Sequence, residues 1–129
     1  MGNREAISTE AAPAAAGPYS QAIRAGELVF TAGQLGMDPA SGELAADVAG
    51  QAERALRNLE AILGASGSGL DRLVKVTVYL ADIGDWPAVN EVYGAIVPQP
   101  YPARSAFAVK DLPKGALVEI EAVASVGVG

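Results

Sequence analysis

The residues best suited to chemistry in this chain are Arg104, in the run Tyr101-Pro102-Ala103-Arg104-Ser105, and the carboxylates of Glu119-Ile120-Glu121. The sequence contains no His and no Cys, so a reaction can draw only on carboxylates, guanidinium and amine groups, phenols, hydroxyls and the backbone. That removes most zinc sites, thiol nucleophiles and disulfides together. Arg104 is the one cation between Lys75 and Lys110. Two readings of it stay open. In one it forms a cross-strand ion pair with Glu121, worth about 0 to 1 kcal/mol if exposed. In the other, two glutamates on one face exceed the charge of a single Arg, and the spare carboxylate serves as a base or a water anchor.

The elements that must position these groups follow from periodicity. Arg104–Val109 and Leu117–Ser125 alternate as strands about the turn-rich Lys110-Asp111-Leu112-Pro113-Lys114-Gly115. Paired as a hairpin, they place Phe107 opposite Val118, Ala106 opposite Glu119 and Arg104 opposite Glu121, because a one-residue slip would bury both carboxylates. In this register Glu119 is the bystander of the two acids. Leu117, Val123, Ala106 and Ala108 share the carboxylate face, which predicts that a second subunit covers it and leaves a lined cleft.

Upstream, a short strand at Ala6–Thr9 precedes the Pro-punctuated connector Ala11–Pro18. Tyr19–Arg24 and Leu28–Ala32 form a hairpin about Ala25-Gly26-Glu27, and Gly33-Gln34-Leu35-Gly36 closes the second strand as a turn. From Asp47, Val48, Ala52, Ala55, Leu56, Leu59, Ile62 and Leu63 recur at three- and four-residue steps. This predicts an amphipathic helix capped by Asp47, with Glu53 and Arg57 paired one turn apart. Leu73–Leu80 alternates as a strand. Asp85 caps a second helix with Pro87 in its first turn and Val89, Val92, Tyr93, Ile96 and Val97 as its buried stripe. Trp86 anchors the start of that helix, and Tyr79 and Tyr93 are packing residues. The order ββ-α-β-α-ββ predicts one α+β domain over residues 1–129, a mixed sheet with two helices on one face, with residues 1–5 a loose N-terminus.

Composition narrows the partners. A chain of 129 residues fits one domain, and its hydrophobic half is made mostly of small and branched side chains, a core that subunit association would extend. A net charge of -6 repels a phosphate backbone, so nucleic acid is a disfavoured partner. Met1 to Gly17 carries charges and no long apolar run, which predicts a soluble, cytoplasmic protein without a membrane partner.

Gly17-Pro18-Tyr19-Ser20-Gln21-Ala22, Ala32-Gly33-Gln34, Val89-Asn90, Pro102-Ala103-Arg104-Ser105 and the run Leu112 to Ala122 together resemble the RidA family, also called YjgF, of reactive intermediate deaminases. The resemblance implies a chorismate-mutase-like fold and a homotrimer with sheets inside, helices outside and clefts between subunits. It implies hydrolysis of 2-imino acids (2-iminobutanoate, 2-iminopropanoate) or their enamines to 2-keto acids and ammonia, with no metal or organic cofactor. On this likeness Arg104 grips the substrate carboxylate through two charge-assisted hydrogen bonds, and Glu121 positions water and assists as a base. Tyr19 lines the cleft, the Gly33 backbone contacts the substrate and Asn90 supports the wall. Ala106, also at the cleft, and Ala32 stand where many relatives carry Cys and Ser, which leaves the cleft larger or drier. Two other functions compete: a noncatalytic metabolite-binding or chaperone-like module using the same cleft, and an RNA-cleaving translation inhibitor, which the acidic, His-free composition disfavours.

Overall fold

Asp47 starts the long helix as its chemistry predicts: the side chain accepts a hydrogen bond from Gly50 N at 2.8 Å, satisfying one of the free donors of the first turn. In the computed structural model, which describes residues 4–126, this helix is α1 (Val48–Ala65) and the second is α2 (Trp86–Ile96). The strands are β1 (Arg4–Ile7), β2 (Ala22–Ala25), β3 (Leu28–Thr31), β4 (Gln34–Leu35), β5 (Leu73–Leu80), β6 (Ala103–Ala108) and β7 (Val118–Ser125). Arg4 and Glu5, placed in the loose N-terminus by sequence, pair with Ala25 and Arg24 in β1; the rest of that arm lies outside the described residues. Among the described residues no helix is long and apolar enough to cross a membrane.

The strands form one sheet in the order β1-β2-β3-β7-β5-β6, with β4 also on β7. Both helices pack on one side of it. Leu56 and Leu59 of α1 and Val89 and Tyr93 of α2 meet Val76, Val78 and Leu80 of β5 and Val118 and Ile120 of β7, while Ile62 and Leu63 extend the core to Val29 and Ala124. The predicted hairpin of β2 and β3 forms, with Gly26 at φ 63 in its turn, a left-handed conformation that Gly adopts without strain. Arg57 pairs with Glu60 at 3.1 Å, not with Glu53.

Two expectations about the sheet are overturned. Gly33-Gln34-Leu35-Gly36 is more than a closing turn, because Gln34 and Leu35 form β4 opposite Ile120 and Glu119 of β7. More consequentially, β6 and β7 are not a hairpin. β5 lies between them, parallel to β6 and antiparallel to β7. The reason is the α2 crossover, which returns the chain parallel to β5 on its outer edge, so that β7 enters the sheet on the opposite side of β5.

Candidate functional site

Once β6 sits beside β5, the faces of its residues are fixed. Arg104 pairs with Val76 and Ala106 with Val78, so both lie on the helix side of the sheet. Ser105 and Phe107 pair with Thr77 and Tyr79 on the open side, where Phe107 meets Tyr79 edge to face at 5.4 Å. Glu121 and Glu119 pair with Thr77 and Tyr79 from the other flank, so they too face the open side. Arg104 and Glu121 are therefore on opposite faces of one chain with a strand between them. The expected cross-strand pairing does not exist.

The structure instead gathers the candidate residues into two groups. The first surrounds Arg104 at the sheet edge. Its Nη1 donates to Asn90 Oδ1 at 2.8 Å, and its guanidinium carbon lies 4.5 Å from the Trp86 ring and 4.7 Å from the Tyr93 ring. Arg104 and Asn90 line a depression of about 340 Å³ together with Tyr93, Gly94 and Tyr101. One donor of the guanidinium is satisfied by Asn90, which leaves a fork suited to a carboxylate. Ala106 is on the same side but packs against the core, and it does not line this depression.

The second group lies on the other side of the sheet, where the chain kinks between β3 and β4. The ladder is interrupted there, and Thr31 Oγ accepts the hydrogen bond of Ala122 N at 3.0 Å. Gly33 occupies the kink, and a Cβ on it would overlap the Glu119 carboxylate. Tyr19, Ala32, Gly33, Lys114 and Glu119 line a cleft of about 380 Å³. The strap carrying Tyr19 is tied down by the buried Gln21, whose amide nitrogen donates to Thr9, Ala12 and Pro13 carbonyls and whose oxygen accepts from Thr9 N. Lys114 enters the cleft from a left-handed backbone, φ 61, a conformation that costs a non-glycine residue about 1 kcal/mol or more.

Burial raises the pKa of Glu119 above the ordinary carboxylate value, and the neighbouring Glu121 charge adds to the rise. Burial, then the hydrogen bond to Glu121 and the charges of both glutamates, push the Tyr79 phenol up as well. Of the two acids, the one taken from sequence as a bystander thus has the tuned carboxyl beside Tyr19 and Gly33, while Glu121 faces Tyr79. The two acids share alternation and type, so only the β4–β7 pairing, which no periodicity announces in a two-residue strand, separates them. Trp86 and Tyr93, read as anchor and packing residues, prove to flank Arg104. Among the described residues no cluster of three acidic side chains could hold a metal ion.

Residues 9–126 match the family described as Endoribonuclease L-PSP. A RutC family protein, y4sK, from Sinorhizobium fredii is 55% identical over 94% of this chain and 97% of its own length. A protein from Bos taurus named 2-iminobutanoate/2-iminopropanoate deaminase is 51% identical over 96% of this chain and 91% of its own. The crystal structure of RidA from an Antarctic Psychrobacter superposes with a TM-score of 0.92 at 45% identity, covering 95% of this chain and 99% of the other.

Proposed function

The chain belongs to the RidA (YjgF) family, and from that membership we propose that it hydrolyses reactive 2-imino acids, 2-iminobutanoate and 2-iminopropanoate among them, to 2-keto acids and ammonia. The observation that carries this reading is the Arg104 fork, held by Asn90 and open to a depression, in a chain half identical to proteins named for that reaction. Arg104 takes the substrate carboxylate. Glu119, in place of Glu121, is the general base, because its raised pKa keeps a proton acceptor closer to working pH. It accepts a proton as water adds its oxygen to C2 of the protonated imine. The proton then passes to the amino group of the resulting 2-amino-2-hydroxy acid, the C–N bond breaks as Glu119 takes the hydroxyl proton and the carbonyl forms, and the departing ammonia carries that proton away as ammonium.

No single chain can bring both groups to one substrate. Arg104 and Glu119 lie on opposite faces, one strand apart across the sheet, and Glu119 is level with Phe107, about 10 Å along β6 from Arg104. We therefore propose that the cleft forms between copies, Arg104 and Asn90 from one and Tyr19, Gly33 and Glu119 from the next, in a homotrimer. The open sheet face supports this, since it leaves Leu28, Phe30 and Phe107 at 37%, 45% and 46% exposure, an apolar surface of the kind that marks an interaction face.

The test generates imines in situ with an amino acid oxidase and traps them with semicarbazide. Added protein is expected to reduce trapping and speed keto-acid release, and Arg104→Ala to abolish the effect while the fold persists. Unchanged trapping across several imines overturns the reading.

A further inference from the structure

Trp86, Asn90 and Tyr93 fall at positions i, i+4 and i+7 of α2, so they share one face over two turns, a span of about 10 Å. Arg104 reaches this face from β6. Its guanidinium carbon is 4.5 Å from the Trp86 centroid and 4.7 Å from the Tyr93 centroid, rings two turns apart, while Asn90, on the turn between, accepts from Nη1.

We infer that Trp86 and Tyr93 are positioning residues that hold the Arg104 guanidinium between their rings, with Asn90 fixing its rotation, so that its free N–H edge is presented to the substrate carboxylate. The inference rests on Arg104 being the carboxylate clamp. An arginine side chain without such support surrenders large rotamer freedom on binding, and a group already ordered in its binding geometry avoids that loss. Guanidinium suits the arrangement because it is planar, weakly hydrated and attracted to ring faces. Tyr93 is 2% exposed and its buried hydroxyl has no hydrogen-bond partner. Packing, and not the phenol, therefore fixes this ring, and only its aromatic face serves Arg104.

The experiment compares Trp86→Leu and Trp86→Phe with the parent protein. Trp86→Leu is expected to raise KM for the imine about tenfold with kcat within about twofold, and to weaken 2-oxobutanoate binding in calorimetry by the same factor. Trp86→Phe restores most of the loss. Trp86 is the only tryptophan, so its emission should change saturably as 2-oxobutanoate binds, and stay constant in Arg104→Ala. A folded Trp86→Leu variant with unaltered KM and affinity overturns the inference, as does a Phe variant as impaired as the Leu one. A parent emission that ignores a ligand shown by calorimetry to bind does so as well, and needs no variant to fold. Imine turnover with Trp86-independent affinity sinks the clamp and leaves the deaminase standing. Trp86-dependent 2-oxobutanoate binding without turnover does the reverse, and a parent protein with neither overturns both.

Discussion

Glu119 and Glu121 sit two residues apart on the same face of β7, yet only Glu119 meets the side-chain-free Gly33 and the Tyr19 strap. If Glu119 is the base, Glu119→Gln lowers kcat by about 100-fold or more, whereas Glu121→Gln changes it by no more than about threefold. The acidic limb of the pH profile gives a second measure. Glu119 must be ionised to accept a proton, and its pKa is raised, so kcat/KM falls at a pH above that of an ordinary carboxylate. Stability carries the opposite sign. A carboxyl group whose pKa rises on folding binds its proton more tightly in the native state, so stability declines as pH climbs from the unfolded value through the raised one. Glu119→Gln, which mimics the protonated acid, should therefore melt above the parent protein near pH 7, with the gap closing toward about pH 4; a lower melting point at neutral pH would contradict the assigned direction.

At the level of elements, what could be read in advance was what local chemistry determines. The apolar spacing from Val48 to Leu63 and the Asp47 cap defined α1, and alternation defined β5 and β7. Asp47→Ala should lower stability by about 1 kcal/mol, seen as a shifted denaturant midpoint with unchanged KM. Pairing was not legible in the same way, because alternation states which residues of one strand share a face and not which strand lies alongside. Phe107 sits opposite Val118 in the predicted hairpin, on the apolar side of the strand pair. In the structure it lies on the open face against Tyr79, while Arg104, the charged residue, takes the helix side because an edge strand lets its long side chain reach past the sheet to α2. Motifs grouped Arg104, Asn90, Tyr19 and Gly33, and the structure sets Arg104 with Asn90 in one depression and Tyr19 with Gly33 in another; the proposal of Glu119 over Glu121 and the ring pair around Arg104 required the topology.

For the whole molecule, the two half-sites on opposite faces make a quantitative prediction. If the cleft forms between copies as proposed, Arg104→Ala and Glu119→Gln homotrimers each lack one half of every cleft. In a mixed trimer one cleft of three draws its Arg104 and Glu119 from intact sources, so random co-assembly restores about a quarter of parental activity. Co-expression followed by the trapping assay measures this, and no recovery beyond the separate variants would show that each site is built from one chain. Light scattering on the same samples should give the mass of three 13.0 kDa chains. The separation of Arg104 from Glu119 by β5 also bears on when and where such a protein works. On the proposed assembly an isolated chain holds only half of each site, so activity would rise with local abundance and fall on dilution, which turnover across a dilution series checks.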